Sequence, residues 1–189
     1  ARSCAEQFAL VYWRSLLNAP SLTEFLRPCL QFLSRQQLGQ IPATLAEQLT
    51  LLLTYLTEQR CLLVLDNVES ILASEQAGHY RPGYEGYGQL IERIAQQNHQ
   101  SCLVLTSRER PRGIGRLEED LPVVRTLPLD GLSAEAGEAL LKTRGLTADE
   151  GQVTSLVQRY SGNPLALKLV ARTIQDLFDG DMAAFLGDE

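Results

Sequence analysis

Apolar runs of strand length alternate along this chain with segments whose apolar positions repeat at helical spacing. Residues 9–13 read as a strand, and Asn18-Ala19-Pro20 as the turn after it. A helix follows, with Ser21 and Glu24 spaced as a capping box, and Pro28 inside its pattern predicts a kink or a split. A second helix starts at Thr44, again boxed by Glu47, and its apolar side carries Leu45, Leu49, Leu52, Leu53 and Leu56. It leads into Leu62-Leu63-Val64-Leu65, an uninterrupted apolar run that reads as a strand buried on both faces. Residues 74–88, crowded with glycine, proline and tyrosine, predict a surface loop. A helix over 89–96, a strand over 102–106 and a further strand near 123–127 complete the alternation.

From there the pattern turns wholly helical. Ser133 caps one helix, Thr147 with Glu150 boxes the next, and Pro164 occupies the first turn of a helix running to about residue 178. The expected fold is therefore α/β, a parallel sheet flanked by helices, followed by a small helical subdomain. The change of pattern near Gly131 divides residues 1–130 from 131–189.

Composition narrows the function classes. The chain has 189 residues with an apolar fraction of 44%, enough for a buried core. Its 23 acidic residues against 17 basic ones give a net charge of -6, which argues against nucleic acid or an anionic membrane as partner. The four cysteines, Cys4, Cys29, Cys61 and Cys102, are scattered without metal-ligand spacing, which fits a reducing, cytoplasmic setting. The strongly apolar stretch 49–56 is bracketed by Glu47 and Glu58 and is far too short to span a bilayer.

Candidate chemistry lies in short signals. Asp66 is the first polar side chain past the apolar run, where ligands sit in parallel sheets, with Asn67 beside it and Glu69 a turn further on. A carboxylate there suits a magnesium shell near phosphates, or caps the helical stretch after the strand. Thr106-Ser107-Arg108 ends the 102–106 strand, and the Arg108 guanidinium is placed to reach a terminal phosphate, or is an ordinary surface arginine. Gly162-Asn163-Pro164-Leu165 is a helix entry that offers a rigid apolar surface to a flat ring. His79 and His99 sit in polar surroundings, and no serine or cysteine nucleophile lies in a recognisable elbow, so a hydrolase of another kind is disfavoured.

In this order, these motifs resemble the nucleotide-binding region of the NB-ARC family of STAND-class signal-transduction ATPases, shared by plant resistance proteins and apoptotic activators. The resemblance is to bacterial, particularly cyanobacterial, members. It matches Leu62 to Asn67 with the Walker B strand, Thr106-Ser107-Arg108 with the sensor arginine motif, and Gly162-Asn163-Pro164-Leu165 with the motif near the base. Tyr12-Trp13-Arg14-Ser15-Leu16 and Tyr84-Glu85-Gly86-Tyr87-Gly88 also look like family segments. The resemblance implies a P-loop NTPase-like sheet, ADP or ATP with magnesium as cofactors, and a nucleotide-controlled change of conformation and self-assembly that engages downstream effector domains. Asp66 would bind magnesium through water, Thr106 and Arg108 would attend the terminal phosphate, and Pro164 with Leu165 would pack on adenine.

Two departures qualify what the resemblance implies. No Gly-x-x-x-x-Gly-Lys-Ser/Thr phosphate loop occurs in the sequence, so the chain is expected to be a fragment lacking its first, central strand. That strand is expected between the Leu62 and Cys102 strands. Asn67 stands where active ATPases place a second acid, and an amide cannot act as a general base, so Asp66, Asn67 and Arg108 would support at most slow hydrolysis. The competing expectation is a protein-interaction module that no longer binds nucleotide.

Overall fold

The computed structural model describes residues 6–187. The chain forms two compact units, one ending at Thr126 and one beginning at Leu127. The first unit carries strands β1 (Leu10–Ser15), β2 (Cys61–Asp66) and β3 (Cys102–Leu105). All pair in parallel, in the order β1-β2-β3, with Val11 opposite Leu62 and Leu62 opposite Cys102.

Helices α1 (Leu22–Leu33) and α2 (Leu45–Glu58) connect β1 to β2, and α3 (Glu85–Gln96) connects β2 to β3. Both crossovers step across the sheet in the same direction, so right-handed connections place all these helices on one face. The packing follows that rule. Tyr12, Leu63, Leu65 and Leu103 join one cluster with Phe25, Leu30, Leu52, Tyr87 and Leu90, contributed by all three helices. Tyr12 lies 6.2 Å from Phe25 and 5.3 Å from Phe32 between ring centroids.

The alternate side chains, Val11, Trp13, Leu62, Val64, Cys102 and Val104, project to the second face. None of them belongs to that cluster. Leu62 and Val64 on the central strand are buried, but Trp13 is 57% exposed, Val104 39% exposed, and Cys102 is exposed.

Helix boundaries follow their caps closely. Ser21–Glu24 and Thr44–Glu47 form complete capping boxes at the starts of α1 and α2. Pro28 does not split α1, which continues to Leu33 because Phe25, Leu26, Cys29, Leu30 and Leu33 are all buried on its inner side. The predicted loop over 74–88 is shorter than expected, since α3 begins at Glu85. The glycines that suggested a loop are helical for a packing reason. A Cβ at Gly86 would stand 2.9 Å from Leu22 Cδ2, and one at Gly88 2.8 Å from Tyr80 Cε2.

Two further expectations are corrected. The Leu62 and Cys102 strands are hydrogen-bonded to each other directly, with no slot between them for a missing strand. Residues 123–127 form no strand: Val123 and Leu127 are 78% and 81% exposed, and β-propensity without a neighbouring strand and burial does not make an element. Instead α4 (Ile114–Asp120) occupies the stretch before it, preceded by Gly113 at φ 96° as its N-cap.

The second unit is a helical cluster of α5 (Ala134–Lys142), α6 (Glu150–Arg159), α7 (Pro164–Phe178) and α8 (Met182–Gly187). Its core gathers Leu141, Leu146, Val153, Leu156, Leu167, Val170, Ile174 and Met182. The cap of α6 is Asp149 boxed with Gln152, two residues beyond the expected Thr147–Glu150 pair. Both spacings satisfy the box rule, and an aspartate is the stronger cap.

Candidate functional site

The carboxyl ends of β1, β2 and β3 converge on a polar network built from one residue of each. Register sets Ser15 beside Asp66, and Leu65 beside Leu105 just before Thr106. The Thr106 amide donates to the Leu65 carbonyl at 3.0 Å, and the Val68 amide to the Thr106 carbonyl at 3.0 Å, which extends the β2–β3 pairing past the strand ends. The Thr106 hydroxyl donates to Asp66 Oδ1. It also accepts from the Asn67 amide at 3.3 Å.

Asn67 occupies the left-handed region at φ 60°, ψ 45°, a conformation that asparagine tolerates better than most residues. That turn aims its side chain at β1, where Ser15 Oγ donates to Asn67 Oδ1 at 3.0 Å. A short 3-10 turn, Val68–Ile71, then carries Glu69 back over the β3 end. Glu69 Oε1 stands 3.6 Å from Nε of Arg108, whose side chain is 90% exposed. The other oxygen, Glu69 Oε2, is buried and has no hydrogen-bond partner.

Neighbouring loops brace this end of the sheet. Gly78, at φ 73°, donates its amide to Glu109 Oε2 at 2.8 Å and accepts from the Arg112 amide at 2.7 Å. A Cβ there would come within 2.4 Å of the Arg110 carbonyl oxygen, so only glycine permits the approach. Tyr84 and Tyr87 donate their hydroxyls to Ala19 and Pro20 carbonyls at 2.7 and 3.0 Å, tying the start of α3 to the turn after β1.

Of the residues singled out from sequence, Asp66, Asn67, Thr106 and Arg108 thus share one sheet end. Pro164 and Leu165 lie in the second unit. There Asn163 Oδ1 accepts from the Leu165 and Ala166 amides at 2.9 and 3.1 Å, and Pro164 opens α7 as an exposed apolar surface. The chain before it is held tightly. Gly162, at φ 64°, accepts from the Leu132 amide at 2.8 Å, and a Cβ on Gly131 would collide with the Ser161 carbonyl. A cavity of about 320 Å³ lies beside these glycines, lined by Leu132, Thr154, Val157 and Gln158 among others.

The role of Ser15 escaped sequence reading, because its meeting with Asn67 depends on strand register. The signal available was its position as the first polar residue after the Ala9 to Trp13 pattern and Arg14.

Chemically, the sheet end offers hard oxygen donors from Asp66, Asn67, Ser15 and Thr106, with a guanidinium alongside. One carboxylate with hydroxyls and an amide suits magnesium only if water and phosphate oxygens complete the shell. Among the described residues no group of three or more histidine, cysteine or acidic side chains is placed to hold a metal ion by itself.

No family model matches the chain. It is 49% identical over 180 residues to an uncharacterized WD repeat-containing protein of Nostoc sp. strain PCC 7120, an alignment that covers 93% of this chain. The chain spans 14% of the length of that relative. Among solved structures, it matches a chain of the E. coli MS115-1 HORMA:CdnC:Trip13 complex at 17% identity and a TM-score of 0.37, over 84% of this chain and 62% of that one. No helix among the described residues is long and apolar enough to cross a membrane.

Proposed function

We propose that the chain is part of the nucleotide-binding region of a STAND signalling switch of the NB-ARC type, which binds ADP or ATP with magnesium to control conformation and self-assembly. The observation that carries this reading is the network at the carboxyl ends of the strands. It joins Asp66, Asn67 and Thr106 by hydrogen bonds, with Arg108 alongside in an ion pair to Glu69, at the end of a parallel sheet where ligands bind.

The WD repeats of the Nostoc relative also fit a switch with a repeat-built sensor.

In this reading Asp66 holds magnesium through water, Thr106 orients the Asp66 carboxylate, and Arg108 addresses the terminal phosphate. Asn67, engaged by Ser15, has no proton-accepting side chain, so nucleotide is held rather than turned over quickly. Calorimetric titration with ADP tests the reading. Binding is expected for a longer chain that includes a phosphate-loop segment before β1, and not for the present 189 residues. Absence of binding in both forms would instead favour an interaction module, which the exposed Trp13 and Val104 would serve as an apolar docking surface.

A further inference from the structure

A cavity of about 300 Å³ lies where α1 and α2 both finish. Leu33, Leu38 and the Tyr55 ring form its apolar lining, and Arg35, Gln37 and Gln59 its polar lining. Gln59 stands two residues before β2, so the cavity is at the opposite end of that strand from Asp66. Its walls are fixed. Gln59 Nε2 donates to the Leu33 carbonyl at 3.3 Å, which ties the end of α2 to the end of α1. Ser34 Oγ donates to the Gln31 carbonyl at 2.8 Å and accepts from the Leu38 amide at 3.3 Å, which holds the chain beyond α1.

The turn that ends α1 is a Schellman motif: the Arg35 amide donates to the Phe32 carbonyl at 2.9 Å, and the Gln36 amide to the Gln31 carbonyl at 2.8 Å. Helices usually give the left-handed position of this motif to glycine, because a Cβ crowds the backbone there. Here Arg35 fills it at φ 53°, followed by Gln36 at φ 63°. Strain of this kind collects where a side chain serves a ligand, and the Arg35 side chain lines the cavity. The last carbonyls of α1 are engaged by Ser34, Arg35, Gln36 and Gln59, and no acidic side chain lines the cavity, so Arg35 sets its charge. Among the described residues, neither the Arg35 guanidinium nor the Tyr55 hydroxyl has a hydrogen-bond or ion-pair partner.

From this we propose that the cavity binds a small carboxylate with an apolar body. The planar guanidinium takes the carboxylate through paired N–H donors, the Tyr55 hydroxyl adds a third donor, and the apolar body lies against Leu33 and Leu38. Ligand pockets run from about 300 to 1,000 Å³, so this one accepts a group the size of a single amino acid, as a free acid or as the terminal residue of a peptide. The site stands apart from the Asp66 network, and its test needs only the 189-residue chain, without nucleotide.

The protein is titrated with isocaproate, with N-acetyl-leucine, and with N-acetyl-leucine amide as the uncharged counterpart, and backbone amide resonances are followed by NMR. Both acids are expected to shift the resonances of residues 34–38 and 59, and the amide to bind about tenfold more weakly, the span of a charge-assisted hydrogen bond. Tighter binding of N-acetyl-leucine than of isocaproate assigns the site to a chain terminus, and equal or weaker binding assigns it to a free acid. Arg35 is exposed, so its variants keep the fold. Arg35→Gln should reduce both acids to the affinity of the amide, and Tyr55→Phe should weaken them about 3- to 10-fold. Arg35→Gly removes the guanidinium and the strain together, so it should bind as Arg35→Gln does while melting at or above the parent temperature.

Acids that shift resonances only elsewhere, an amide that binds as well as the acids, or unchanged affinity in Arg35→Gln overturns the proposal. So does a lower melting temperature in Arg35→Gly, because Arg35 would then serve the helix end and not a ligand.

Discussion

The two faces of the β-sheet are built from the same strands and differ in almost everything else. On the first face Leu63 and Leu65 are each 1% exposed beneath α1, α2 and α3. On the second, one residue along each strand, Trp13 and Val104 are 57% and 39% exposed. The difference is one of topology. Two crossovers in a single direction stack their helices together, and nothing in β1, β2 or β3 compensates on the reverse side. Parallel sheets are ordinarily covered on both faces. The lesson is that strand sequence alone does not reveal which face is core, since both faces here present valine, leucine, tyrosine or tryptophan.

The sharpest way to break the comparison is to remove the same kind of group from each face. Leu63→Ala is expected to cost about 2–5 kcal/mol in urea unfolding, because it opens a cavity in close packing. Val104→Ala should cost below about 1 kcal/mol, since much of its surface is already in water. Similar costs for the two would mean that the second face is as well packed as the first.

Alkaline pH probes the covered face next. Burial, reinforced by the neighbouring Cys61, pushes the Cys29 thiol from 9.0 up to about 12, and burial pushes the Tyr12 hydroxyl from 10.0 up to about 12. In the unfolded chain both groups lose their protons at lower pH than in the folded one. Their contribution to stability is therefore complete below about pH 9 and is lost as pH rises through 12. The urea midpoint should fall steadily across that window. A midpoint that stays flat to pH 11 would show that these groups are solvated.

Capping tests how the covering helix is held. Ser21→Ala removes the side-chain partner of the Glu24 amide and should cost about 1 kcal/mol, lowering the melting temperature. A neutral outcome would show that α1 is set by packing alone. The smallest effect belongs to the second face. Trp13→Ser should change stability by no more than about 0.5 kcal/mol, yet reduce binding of a hydrophobic dye, read by fluorescence. A large loss of stability would place Trp13 in a core.

Much of the architecture was legible. The strands at β1, β2 and β3, both capping boxes, and the α7 start at Pro164 all follow from local chemistry that a short window contains. The errors share a cause, which is that distant neighbours decide between local options. Gly86 and Gly88 read as loop residues, but they lie inside α3, where Leu22 and Tyr80 press closely against them. Residues 123–127 have strand character and find no strand to pair with. Pro28 weakens a helix whose buried face is strong enough to keep it whole.

The candidate site divides in the same way. Asp66 stands out in the sequence as the polar end of an apolar strand, and Arg108 as a cation three residues past the end of another. Ser15 against Asn67, and Glu69 against Arg108, were invisible, since the partners lie 52 and 39 residues apart, as the numbering shows. The sequence by itself determined which segments become strands and helices and where polar groups end them, because hydrophobic period and capping act over a few residues. Only the tertiary structure decided that β2 pairs directly with β3, that the helices gather on one face, and that a glutamate meets an arginine across two strand ends. Those outcomes depend on register and crossover direction, which are properties of paired strands and belong to no single stretch of chain.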